Sequence, residues 1–201
     1  MSEELRLFLK EVISIFETMD YVKPESIPNI DLYMDQVTTF MDTQLESTKR
    51  HTDDKILTKT MINNYAKNNL LPPPVKKKYS EEHMLLLIFI YYFKNILSIN
   101  DIQTMLNPIT KKYFGKDGDL NLKDIYEEVF SLEHEEMTRE IKEITRKYKV
   151  SQTTFKDVEN PEDKALLDTF SFVCMLSFDI YVKKMVLEKT IDKFAAEKLN
   201  D

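Results

Sequence analysis

The chain has 201 residues, 42% of them hydrophobic and 31% charged, with a formal net charge of −7. That is enough for one generous domain or two small ones with a real core. Only two glycines, Gly115 and Gly118, occur in it, which argues against hairpin-rich β folds and against glycine-built phosphate loops.

Residues 3–19 predict a first helix, with Leu5, Phe8, Leu9, Val12, Ile13, Ile15, Phe16 and Met19 at helical spacing. Its interspersed charges do not read as a signal peptide. Lys23-Pro24 and Ile27-Pro28 break it. A second helix is expected from about Leu32 to Leu45, followed by a wholly polar loop over 46–54. A short helix then runs from Thr58, a good N-cap, to about Asn68. On a helical wheel, Met61, Ile62, Tyr65 and Ala66 fall on one side, and Lys59, Thr60, Asn63, Asn64 and Lys67 on the other.

Pro72-Pro73-Pro74 forces an extended backbone and launches the basic loop Val75 to Tyr79. Ser80 caps the next helix, which is expected to run to about Leu97. Its ten-residue apolar run, Met84 to Phe93, suits a buried core helix and is too short to span a bilayer. Ser98 to Asp101 is a capping-box pattern opening a short helix expected to end before Pro108. A glycine-bearing loop follows, around Lys116 to Asn121. Residues 122–149 predict one charged helical stretch. Asn160-Pro161 opens a last helix reaching about Leu199, apolar on most faces between Ala165 and Leu187. A helix that apolar must be central to a bundle or lie at a subunit interface.

The strongest functional signal is electrostatic. Lys55 to Tyr79 holds six lysines and no Asp or Glu; the rest of the chain carries 22 basic against 35 acidic residues, a balance of −13. A cationic island in an anionic protein is the footprint of a polyanion partner. Residues 113–163, with 14 acids and 8 bases, are unsuited to DNA. The competing explanation of the lysines is a solvated face on an ordinary helical protein.

Other motifs point less far. Asp117 to Asn121, with Glu128, has calcium-loop spacing, but Leu122 stands where the sharp turn needs Gly, and Asn121 as a helix cap explains the same residues. His134-Glu135-Glu136-Met137-Thr138 lacks the second histidine of a zinc-protease motif. His51, His83 and His134 read as surface residues. Cys174, the single cysteine, reads as a buried free thiol in a reduced, cytosolic setting. No enzyme, metal site or cofactor is expected.

The segment from Thr60 through Tyr65, Leu70-Leu71-Pro72 and Lys76-Lys77-Lys78-Tyr79-Ser80 to His83, with Leu85 to Leu106 after it, resembles the winged helix-turn-helix of MerR-type transcriptional regulators. Where that pattern carries Arg-Tyr-Tyr-Glu, this chain has Asn63-Asn64-Tyr65-Ala66. The longer run from Pro28 to Val37, through Met61 to Tyr65 and on to Lys78-Tyr79-Ser80, is similar to the bacterial family domain of unknown function 1836, which supplies no mechanism.

The resulting expectation is an all-α protein. Residues 1–25 hold an N-terminal helix, 26–110 a MerR-like winged helix-turn-helix whose wing contains a very short β pairing, and 111–201 a helical bundle with a long last helix. The expected function is cytoplasmic transcriptional regulation through double-stranded DNA, contacted by Thr58, Lys59, Thr60, Asn63, Asn64, Tyr65, Lys67, Lys76, Lys77, Lys78 and Tyr79. A homodimer, an unidentified small-molecule effector and no membrane association complete the expectation. The alternative is a protein-interaction or ligand-binding helical module with a degenerate helix-turn-helix.

Overall fold

In the computed structural model, which describes residues 3–18, 21–116 and 118–198, the chain is all-α apart from one pair of two-residue strands. The helices are α1 (Glu3–Thr18), α2 (Met34–Gln44), α3 (Lys59–Lys67), α4 (Glu81–Lys94), α5 (Ile99–Tyr113), α6 (Leu122–Ser131), α7 (Glu133–Ser151) and α8 (Pro161–Lys198). The strands are β1 (Leu32–Tyr33) and β2 (Lys78–Tyr79), antiparallel, with Leu32 opposite Tyr79 and Tyr33 opposite Lys78. The chain divides into two compact units. One holds residues 1–20 and 132–187; the other holds 21–131 and 188–201.

The unit 21–131 is built around α4. Met84, Leu85, Leu86, Leu87, Ile88 and Ile90 are all essentially inaccessible, so α4 is buried on every side. Each such side chain contributes roughly 1.5–3 kcal/mol of burial free energy. Around it pack α5 and α6, which belong to the same unit. Phe89, Tyr126 and Phe130 form an aromatic cluster with centroids 4.3–5.4 Å apart. The Tyr126 hydroxyl, fully buried, donates to the Val22 carbonyl at 2.6 Å and ties the start of the unit to α6.

The caps lie where the sequence puts them. Ser98 Oγ accepts from the Asp101 amide at 3.2 Å while Asp101 Oδ2 accepts from the Ser98 amide at 3.1 Å. Asn121 Oδ1 accepts from Lys123 and Asp124 at 2.8 and 3.0 Å, so this residue caps α6. Asp117 of the calcium-like spacing lies outside the described residues.

Several expectations need correction. The second helix starts at Met34, not Leu32, because Leu32–Tyr33 is extended and pairs with the wing. α5 does not stop before Pro108 but runs through it to Tyr113. Proline there costs one backbone hydrogen bond; burial of Ile102 and Leu106 and packing of Ile109 and Tyr113 on the core hold the helix on both sides of it. The stretch 122–149 is two helices, separated at Leu132. His83, expected at the surface, is only 3% exposed, because the wing base and Phe114 close over it. His51 is exposed; the side chain of His134 lies outside those described.

In the unit containing α1, α7 and most of α8, α1 packs on α7. Lys183 pairs with Glu140, Lys147 with Asp179 at 3.2 Å, and the Tyr148 and Phe172 rings meet edge to face at 5.5 Å. Partners on α8 fall in number as those on α7 rise, so the two helices are antiparallel. Lys147 donates to Asp179 and, with Lys183 nearby, holds its carboxyl below the usual range. Asn160 Oδ1 caps α8 through the amides of Glu162 and Asp163, at 2.8 and 3.2 Å. Cys174 is half-buried.

Candidate nucleic-acid interface

Local caps and turns, with one longer-range tie to α4, hold the basic segment in shape. At the entrance to α3, Thr58 Oγ1 accepts from the Met61 amide at 3.2 Å. Just before it, the carbonyl of Ile56 accepts from Lys94 Nζ at 2.6 Å, which anchors the incoming loop to α4. Burial lowers the Lys94 pKa from its ordinary value. At the exit, Asn69 takes a left-handed backbone, φ +54°. Its amide bonds to Ala66 O at 3.2 Å and the Leu70 amide to Tyr65 O at 2.9 Å. This closure satisfies the carbonyls at the helix end and needs a residue tolerant of positive φ, a role Asn fills. Leu70 and Leu71 are then buried in the core.

α3 divides as its sequence pattern requires. Ile62 and Tyr65 are buried and Met61 and Ala66 half-buried; Lys59, Thr60, Asn63, Asn64 and Lys67 are exposed. The side chains of Asn63 and Asn64 make no hydrogen bond within the described residues. Their amides are therefore open to an outside partner.

Beyond the prolines the wing is a two-residue hairpin turn. Val75 and Lys78 exchange backbone hydrogen bonds of 3.0 and 2.9 Å, and Lys76 and Lys77 between them have φ of +51° and +65°. Such turns need positive φ at both central positions and are ordinarily built from Asn and Gly. Two lysines here accept backbone strain and hold two ammonium groups at an exposed tip. Pairing of Lys78–Tyr79 with Leu32–Tyr33 fixes the wing to the start of α2. The Lys78 ammonium lies 5.1 Å from the centre of the Tyr33 ring, a cation–π contact.

His83 locks the base of the wing. Its Nδ1 accepts from the Ser80 amide at 3.0 Å and lies 2.8 Å from Ser80 Oγ. The ring meets Tyr79 and Phe114 edge to face at 5.4 and 4.8 Å. Its buried Nε2 makes no well-formed hydrogen bond, the carbonyls of Pro72 and Pro73 being the nearby acceptors. Burial lowers the His83 pKa, partly offset by those carbonyls and by the charge of Asp31. The sequence signal for this role is the Ser80–His83 spacing, in which His occupies the position of the usual capping Glu or Gln.

The residues expected to contact DNA are thus sorted by the fold. Lys59, Thr60, Asn63, Asn64 and Lys67 share the exposed side of α3, and Lys76 and Lys77 form the exposed wing tip. Thr58 is occupied as a cap. Tyr65 and Tyr79 are placed elsewhere: both are buried, and burial raises both phenol pKa values. They support α3 and the wing from within. Lys59 makes an ion pair with Asp35, both side chains well exposed; a surface pair of this kind is screened by salt and weak. Among the described residues, Lys55, Lys67, Lys76 and Lys77 have no ion-pair partner. No cluster of metal-ligating side chains occurs among the described residues.

Neither a curated protein nor a solved structure matches this chain. A family model does match, over residues 22–129, which is nearly the extent of the segment 21–131 that makes up most of the compact unit around α4. The chain belongs to the family described as a domain of unknown function (DUF1836).

Proposed function

We propose that the unit 21–131 is a MerR-like winged helix-turn-helix that binds double-stranded DNA, and that the chain is a cytoplasmic transcriptional regulator. One observation carries this reading. The exposed side of α3 and the wing tip offer Lys67, Lys76 and Lys77, none with a carboxylate partner among the described residues, on an otherwise acidic chain. Lysines at such positions neutralise phosphates and set register, whereas side-chain amides such as those of Asn63 and Asn64 suit the edge of adenine in the major groove. The order α2, α3, paired wing, α4 supports the fold reading, since α3 buries Ile62 and Tyr65 against the core and turns its polar side outward.

A second reading has its own support. The Asp35–Lys59 ion pair takes one cation out of the set, and the Arg of the MerR pattern is replaced by Asn63. A protein-interaction module that kept the shell and lost DNA affinity fits those two facts. Selection of bound duplexes from a random library, at two salt concentrations, tests the first reading. Enrichment of a motif at the higher salt supports it; no enrichment at either, together with a protein partner retained from lysate after nuclease treatment, supports the second.

A further inference from the structure

Tyr65 and Tyr79 of the basic segment are buried, but another tyrosine, Tyr33, reaches the wing from outside that segment and is 53% exposed. In the β1–β2 ribbon the opposed residues Leu32 and Tyr79 are both buried. Side chains alternate along a strand, so the other opposed pair, Tyr33 and Lys78, projects from the outer face. The Tyr33 amide donates to Gln36 Oε1 at 2.8 Å, which fixes the residue as N-cap of α2. Its ring holds the Lys78 ammonium 5.1 Å from the centroid. Its phenol hydroxyl makes no hydrogen bond within the described residues, and Lys78 has no ion-pair partner there.

The place of this pair in the fold is as telling as its chemistry. Lys78 directly follows the wing tip, and Asp35, two residues after Tyr33, meets Lys59 at the start of α3. The outer face of the ribbon therefore joins the two exposed parts of the cationic surface. Of the acids that flank Tyr33, Asp35 is engaged by Lys59, and Asp31 contributes its charge at the buried His83 ring.

We propose that Tyr33 and Lys78 together form a seat for one backbone phosphate of the duplex, between the phosphates met by the wing tip and the groove entered by α3. The phenol hydroxyl donates to a non-bridging phosphate oxygen, and the ammonium, steadied by the ring, supplies the charge. Support of Lys78 alone would need only the ring, which Phe supplies equally; the open hydroxyl is the part that a phosphate puts to use. The inference rests on the DNA-binding reading and extends it to a residue outside the lysine-rich segment.

The test is duplex affinity of the full chain across a salt series, for the wild type, Tyr33→Phe, Lys78→Ala and the double replacement, with the urea midpoint followed in parallel. Tyr33→Phe keeps the ring beside Lys78 and removes only the hydroxyl. It should weaken binding to all duplexes alike by about tenfold. The slope of log affinity against log salt should stay as in the wild type, because a neutral donor releases no counterion. Lys78→Ala should flatten that slope by about 0.9. The double replacement should lose less than the product of the two single losses, since both groups hold one phosphate. Tyr33→Phe binding as tightly as the wild type overturns the proposal, as does a double loss equal to that product or a Tyr33→Phe loss confined to one sequence. Weaker binding by Tyr33→Phe together with a lower urea midpoint assigns the hydroxyl to folding and equally overturns it. Those outcomes leave the DNA-binding reading standing. A wild type that binds no duplex, or binds it independently of salt, ends both.

Discussion

Val75 and Lys78 are joined by reciprocal backbone hydrogen bonds of 3.0 and 2.9 Å, and this closure holds Lys76 and Lys77 in consecutive left-handed conformations. Stability alone would select other residues at this turn. A left-handed conformation costs an ordinary residue about 1–2 kcal/mol, and Asn-Gly would avoid most of it. The double replacement Lys76→Asn, Lys77→Gly should therefore raise the urea-unfolding free energy by about 1 kcal/mol or more while weakening binding to every duplex. Equal or lower stability would show that the turn is not strained; unchanged affinity would show that the tip is idle.

Asn63 and Asn64 should carry sequence preference without carrying salt dependence. Replacing either by Ala is expected to relax discrimination at one base position by about 1–3 kcal/mol and to leave the slope of affinity against salt unchanged. Competition binding with single-base variants of a selected duplex gives both numbers.

His83 predicts an acid-side loss of stability. Burial puts its folded-state pKa below the ordinary value. Above about pH 6.5 both folded and unfolded chains hold it neutral and its contribution is fully present. As pH falls, the unfolded chain takes up a proton that the folded chain refuses until its own lower pKa is reached, so stability drops across that window. Gln in its place keeps a side chain able to cap Ser80 but does not titrate. The wild-type advantage over His83→Gln, measured by urea unfolding from about pH 7.5 to about pH 5 (roughly one unit above and one and a half below the reference value), should shrink on acidification. A constant difference would contradict this role.

Much of the site was legible because it is local. The N-cap at Thr58, the two sides of α3, the proline launch and the helix start at Ser80 all depend on residues within a few positions of each other. What was not legible depends on distant partners. β1 exists only because Leu32 and Tyr33 meet Tyr79 and Lys78. His83 is buried by Tyr79 and Phe114, and Lys59 meets Asp35 from another helix. Tyr65 is informative in another way. Helical spacing already put it on the inner side of α3, and only the resemblance to winged regulators placed it among the DNA contacts. The apolar perimeter of α8 was visible as a composition; the structure adds that Asp168 pairs with Lys164 and Asp179 with Lys147 and Lys183.

Asn69 offers a control on the architecture behind the site. At φ +54° it closes α3, so Asn69→Ala should cost about 1 kcal/mol and Asn69→Gly no more than a few tenths. Thermal or urea unfolding distinguishes them. Equal losses for both would mean that the side chain, not the backbone, is what matters there.

The most direct measurement is the salt dependence of duplex binding by the full chain, for the wild type and for Lys76→Ala, Lys77→Ala, Lys78→Ala combined. Each lysine–phosphate pairing removed should flatten the slope of log affinity against log salt by about 0.9, with affinity reduced for all sequences alike. A slope unchanged by the triple replacement would mean that the wing meets no phosphate, and the DNA-binding reading would fail with it.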